Sequence, residues 1–98
     1  MHNILATISI SEDVDDPKIN GVRSGYSPHH KFAGVDFLVS GIHEYVDDRL
    51  HYPGEVLEAS IRFVSWEYFK DKVKVGDDFE VRELNRVVGV GKINKILE

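Results

Sequence analysis

The C-terminal stretch from Asp78 to Glu98, DFEVRELNRVVGVGKINKILE, constrains the fold more than any other part of this chain. An alternating run at Phe79-Glu80-Val81 and a β-branched run at Val87-Val88-Gly89-Val90 flank a polar joint, Glu83-Leu84-Asn85-Arg86. Alternation marks a strand with one buried face, and β-branched side chains fit a pleated surface. The pattern therefore predicts two strands joined by a tight turn. Gly89 and Gly91 leave the second strand without Cβ atoms at two points. Inside a strand that marks a bulge, a barrel corner or close backbone approach. Val88 and Val90 share a parity that Ile93 and Ile96 do not continue, so a bulge near Gly91 is expected to restore the buried face.

The same period of two recurs upstream. Ile4, Ala6, Ile8 and Ile10 alternate with Leu5, Thr7 and Ser9, and Leu57, Ala59, Ile61 and Phe63 alternate with Glu58, Ser60 and Arg62. Each run predicts a half-buried strand. Phe32 to Val46 is apolar and β-branched, with Val35, Phe37 and Val39 on one side and a bend or bulge expected at Gly41. Val73-Lys74-Val75 reads as a short strand that turns at Gly76-Asp77, and Pro53-Gly54 presets a type II turn. Ser65 to Lys70 is either one helical turn or an irregular connection that plugs one end of the core, with Trp66, Tyr68 and Phe69 expected in core or end-cap packing. Ser11 to His30 lacks periodicity and contains Asn20-Gly21, so a long surface loop, often a binding surface, is expected there. Six or seven short strands with regular turn signals indicate an all-β barrel or sandwich, formed as one domain over residues 1–98.

Composition narrows the function classes. Cysteine is absent, which removes a disulfide framework, a thiolate metal site and a cysteine nucleophile. The net charge of −5 makes phosphate backbones a poor default partner, because nucleic-acid binding draws on counterions released by a basic surface. The acidic stretch Glu12 to Asp16 and the pair Asp47-Asp48 are solvated loops or, functionally, an acidic patch for a basic partner protein. No apolar run approaches the length that spans a bilayer, and the N-terminus lacks a leader pattern, so a cytoplasmic protein is expected.

Motifs that could carry chemistry are weak. Gly89-Val90-Gly91-Lys92 lacks the spacing and the hydroxyl residue of a phosphate loop and sits in a β context, so no nucleotide is expected. His29-His30, His43 and His51 could suggest a metal site, but adjacent histidines on a strand point to opposite faces. No metal, cofactor or catalytic residue is assigned. An enzyme would require a pocket of several hundred cubic ångströms holding two of these histidines.

Three stretches together carry a family resemblance. Ser24-Gly25-Tyr26-Ser27-Pro28-His29, the turn Pro53-Gly54-Glu55, and Phe79-Glu80-Val81-Arg82-Glu83 followed by Arg86-Val87-Val88-Gly89-Val90-Gly91 occur in order along nearly the whole chain. They resemble motifs of the third, C-terminal β-barrel domain of translation elongation factor Tu. The resemblance implies a six-stranded antiparallel Greek-key-like barrel, entered at Phe32 after the first motif. It also implies contact with the T-stem of tRNA, and on that basis Arg82, Glu83 and Arg86 are the candidate partner-binding residues, with Arg23, His29, His30 and Lys31 beside them. Leu84-Asn85 stands where the family has two glycines, which would put a leucine side chain against a ribose. The expected function is a non-catalytic module that binds a protein partner, for instance as a decoy or immunity-type protein. A tRNA-binding module is the alternative, opposed by the acidity, and a small histidine enzyme is the third reading.

Overall fold

The computed structural model describes residues 1–98. Six strands form in chain order: β1 (Ile4–Ile10), β2 (His29–Phe32), β3 (Val39–Glu44), β4 (Val56–Phe63), β5 (Asp78–Glu83) and β6 (Arg86–Ile96). They close into a barrel in the order β1-β4-β3-β2-β5-β6, and every pairing is antiparallel. β2, β3 and β4 follow one another as neighbours, and β1 lies beside β4 after a long connection, which is the Greek-key arrangement. Closure leaves no unpaired strand edge.

The alternating sequences produce this directly. Ile4, Ala6, Ile8 and Ile10 of β1 are buried, and so are Ala59, Ile61 and Phe63 of β4. Between β4 and β5 a single helical turn, α1 (Trp66–Phe69), runs into a short 3₁₀ segment, Lys70–Lys72. Trp66 stacks on Phe63 with ring centroids 5.9 Å apart, and Phe69 meets Phe63 edge-on at 5.2 Å. Phe32 and Phe79 continue this aromatic column at 4.9 Å. The segment is the helical turn rather than an irregular connection, and it plugs one end of the barrel with Trp66 and Phe69, whereas Tyr68 points to solvent and takes no part in the packing.

Three expectations are corrected. The Phe32–Val46 run is not one bent strand. Phe32 ends β2 rather than entering a strand, the chain turns with the Val35 N–H on the Phe32 carbonyl at 3.1 Å, and β3 starts at Val39. Phe37 lies exposed in that turn, so it shares no strand face with Val35 and Val39. Gly41 sits in regular register between Phe63 and its neighbours, without a bulge. Its missing Cβ makes room: an added Cβ would lie 2.9 Å from both the His30 and Phe63 rings. Val73–Val75 forms no strand, because Val73 packs into the core cluster and Lys74 to Asp77 is a turn.

The glycines of β6 act by space. A Cβ on Gly91 would fall 2.3 Å from the Phe79 ring, and one on Gly89 would fall 2.7 Å from the Ser9 carbonyl. The bulges lie to either side of them. Val81 pairs with Gly89 and Arg82 with Val87, leaving Val88 as the extra residue. Leu5 pairs with Lys95 and Ala6 with Ile93, leaving Asn94. Val88 can therefore be buried while Val90 faces outward, which explains the parity break seen in the sequence.

The topology sorts the connections to two ends. Residues 11–28, residues 45–55 and the hairpin turn 84–85 cluster at one end, which we term the hairpin end. Residues 33–38, the plug and both ends of the described chain lie at the other.

Candidate functional site

The candidate residues drawn from the sequence concentrate at the hairpin end, and Glu83 organises them. Its carboxylate accepts from the Tyr26 hydroxyl at 2.6 Å, from Lys18 Nζ at 2.6 Å and from Arg86 Nη1 at 3.2 Å. Partial burial alone would raise the Glu83 pKa, but the hydrogen bonds from Lys18 and Tyr26 outweigh it and hold the carboxyl below its ordinary value. Burial, then the bond to Glu83, pushes the Tyr26 hydroxyl up, so it stays protonated and donates. Arg86 also reaches back to the long loop, donating to the carbonyls of Asp16 at 2.8 Å and Pro17 at 3.2 Å. The hairpin and the loop of residues 11–28 are thereby fastened together.

The remaining candidates divide. Arg82 pairs with Glu80 through Nε at 2.8 Å, not with Glu83. The His29 ring accepts the Leu84 N–H on Nδ1 at 3.3 Å. Arg23 is exposed in the loop. Lys31 Nζ donates to the carbonyls of Phe32 and Val35, which pins the turn after β2 at the opposite end. His30 is fully buried and faces the barrel interior, while its neighbour His29 is only partly buried, as strand alternation requires. The structure therefore brings Glu83, Arg86 and His29 to one face, and turns His30 and Lys31 away from it.

His30 belongs to a buried chain of hydrogen bonds. Its Nδ1 lies 3.0 Å from the Val39 carbonyl, its Nε2 lies 2.8 Å from His43 Nε2, and His43 Nδ1 lies 2.9 Å from the Tyr45 hydroxyl. A carbonyl only accepts, so His30 Nδ1 carries the proton. In the neutral ring its Nε2 must then accept, which makes His43 Nε2 a donor and His43 Nδ1 the acceptor for Tyr45. One tautomer set satisfies every atom, and no buried side-chain polar atom lacks a partner. Burial lowers the His30 pKa to about 4, and burial followed by the neighbouring His30 lowers that of His43 well below its ordinary value.

His51 is the opposite case. Its Nδ1 meets Glu55 at 2.8 Å and its Nε2 meets Asp47 at 2.9 Å, and the residue is buried. Both nitrogens face carboxylates, so the imidazolium form is favoured. The bond to Glu55 contributes most to raising its pKa, burial opposes it, and Asp47 adds to the rise. Backbone bonds in both directions tie His51 to Val22 at 2.8 Å, joining the two long loops.

The largest cleft, about 820 Å³, lies on the outer barrel wall and is lined by Thr7, Ser9, Lys31, Glu80, Val90 and Lys92 among others. None of the histidines lines it. His43 borders only a narrow cavity of about 10 Å³ near Tyr26 and Tyr45. No group of histidine and carboxylate side chains has the arrangement of a metal site, and no helix is long and apolar enough to cross a membrane.

Sequence reasoning missed Lys18, Tyr26 and Asp16 as parts of the hairpin face, because their partners lie far along the chain. It also missed the two histidine clusters. The spacing Asp47-His51-Glu55 was visible, but in a loop that spacing carries no fixed geometry. Comparison with known proteins finds no matching family model and no matching curated protein.

Proposed function

We propose that this chain is a non-catalytic binding module, a barrel akin to the third domain of elongation factor Tu, and that its partner is another protein engaged at the hairpin end. The observation that carries the reading is the distribution of charge. In the loops of that end, Glu12, Asp13, Asp15, Asp16, Asp47, Asp48 and Glu55 stand against Lys18, Arg23 and Arg49, seven acids to three bases. With His51 counted neutral that surplus of four is most of the net charge of −5, and an imidazolium at His51, between Asp47 and Glu55, leaves a surplus of three. Such a field steers a basic protein surface toward this face and repels polyanions.

The cations that a T-stem contact would use are already engaged. Arg82 pairs with Glu80, and Arg86 is divided among Glu83, Asp16 and two carbonyls. Binding RNA would require breaking these pairs or adding phosphate beside three carboxylates. A decoy that occupies a protein otherwise gripping the factor's third domain is one instance of the proposed role. The buried histidines serve the interior rather than a reaction, since each ring nitrogen of His30 and His43 has a fixed partner.

The test combines two measurements. Immobilised protein incubated with extract of its native cells should retain a basic protein, and Asp13→Lys with Asp15→Lys should release it. Labelled tRNA at low salt should show no shift. A tRNA complex that weakens steeply with salt and disappears in Arg82→Ala with Arg86→Ala would replace this reading with the RNA one.

A further inference from the structure

We infer that Ile19 and Leu84 form a paired aliphatic anchor that seats in an apolar depression on a partner protein with a basic rim. The inference rests on the protein-binding reading above and gives that surface its chemistry. Both residues occupy the first central position of a turn. Ile19 follows Lys18 in a turn closed by the Gly21 N–H on the Lys18 carbonyl at 2.9 Å. Leu84 follows Glu83 in the two-residue turn between Glu83 and Arg86. The 2.6 Å bridge between Lys18 and Glu83, the residues that precede Ile19 and Leu84, ties the two turns together. Turn tips ordinarily carry polar residues, yet Ile19 is 72% exposed and Leu84 is 65% exposed.

Leu84 adds a second observation. Its φ is +58°, the only non-glycine residue of the chain in the left-handed region. Crowding of Cβ disfavours that region for most L residues, and glycine or asparagine avoids much of it. Asn85 stands one position later, where it does not relieve that crowding. The two-residue hairpin turn itself calls for positive φ at this position, but nothing in the barrel packs on the Leu84 side chain, which points at water where glycine or asparagine would fit with less strain. Backbone strain of this kind clusters where a surface is used.

The anchor is also rigid before any partner arrives. Arg86 grips the carbonyls of Asp16 and Pro17, the two residues before Lys18, and His29 accepts the Leu84 N–H. Fixed aliphatic tips lose little freedom on docking, which is how a small number of residues comes to dominate an interface. The occupant follows from the rim. Asp13, Asp15 and Asp16 are exposed in the same loop as Ile19, and they line pocket space beside the hairpin together with Asn85 and Arg86. A second copy of the chain would bring the same acids face to face, and an anionic lipid surface or nucleic acid would be repelled. A basic protein surface fits both the charge and the apolar tips.

Selection of displayed random peptides on the immobilised full chain tests this without knowledge of the natural partner. Enriched peptides should place Lys or Arg around a large apolar residue. In fluorescence anisotropy each should bind about tenfold more weakly to Ile19→Ser and to Leu84→Ser. Leu84→Gly serves as the second variant, since it relieves the strained φ, and loss of binding there has no origin in unfolding. Basic peptides that bind wild type and the double serine variant equally place docking elsewhere. That overturns the anchor and leaves the protein-binding reading intact. Enrichment of acidic peptides, or of none, overturns the anchor as well, and the tRNA measurement above then decides the reading itself.

Discussion

Acidification should destabilise this barrel through the His30–His43 pair before most carboxylates are protonated. The perturbation is a fall from about pH 7 to about pH 5 at constant ionic strength. Both rings are buried, and their hydrogen bonds are complete only in the neutral tautomers. Because folding depresses the His30 pKa from 6.5 to about 4, its contribution is present above pH 6.5 and drains away as pH falls toward 4. At 1.36 kcal/mol per unit the full effect is on the order of 3 kcal/mol, of which about 2 kcal/mol is lost between pH 7 and 5. His51 does not cancel this. Its pKa is raised, so its contribution is already complete below pH 6.5. Asp47 and Glu55 have lowered pKa values, so their loss comes at lower pH still. Urea unfolding across this range measures the total, and nitrogen-15 NMR of the imidazoles assigns it. The spectra should show His30 as the Nδ1–H tautomer and His43 as the Nε2–H tautomer, neither protonating near pH 6. A midpoint near 6.5 for either ring, or His43 carrying its proton on Nδ1, would refute the reasoning.

The other predictions concern backbone strain, packing and the loop ties. Leu84→Gly should stabilise the protein by about 0.5–1 kcal/mol, the relief of positive φ less the entropy of glycine, and a loss in chemical denaturation would show that no strain is stored there. Gly91→Ala should cost about 1–3 kcal/mol by overpacking against Phe79. Phe79→Leu combined with it should recover part of that loss in a double-mutant cycle, and simple additivity would place the clash elsewhere. The stability due to His51 should be present below pH 6.5 and decline as pH rises through its elevated pKa. His51→Gln should flatten that decline in thermal melts, and an unchanged alkaline slope would show that Asp47 and Glu55 do not hold a charged ring. Arg86→Ala should free the Asp16 and Pro17 carbonyls, and amide exchange should quicken across residues 11–28 while β1 and β4 stay protected.

Much of this fold was legible along the chain because strand burial is a local, period-two signal. β1 and the inward face of β4 follow from Ile4–Ile10 and Leu57–Phe63 alone, and the C-terminal hairpin appears where its two runs lie. Local pattern did not reveal how residues meet across the barrel. Gly41 looked like a bend, but its missing Cβ accommodates the His30 and Phe63 rings, which lie on other strands. The glycines of β6 were rightly singled out, yet the extra residues are Val88 and Asn94, because bulge positions depend on the register with β5 and β1. Val73–Val75 alternates like a strand and is none, since Val73 is drawn into the core beside the plug.

The same division governs the candidate site. Composition and local pattern are enough to read an acidic all-β protein without cysteine chemistry, with Arg82, Glu83 and Arg86 grouped at a hairpin turn. Those properties reside in composition and in neighbours along the chain. What the charges do depends on contacts made across the closed barrel. Barrel closure brings Lys18 and Tyr26 onto Glu83, sends Arg82 to Glu80, and spreads Arg86 across the long loop. It also turns His30 inward onto His43, a contact across thirteen positions that no spacing rule encodes. Long-range pairing depends on which strands become neighbours, and a linear pattern holds the faces of strands but not their order.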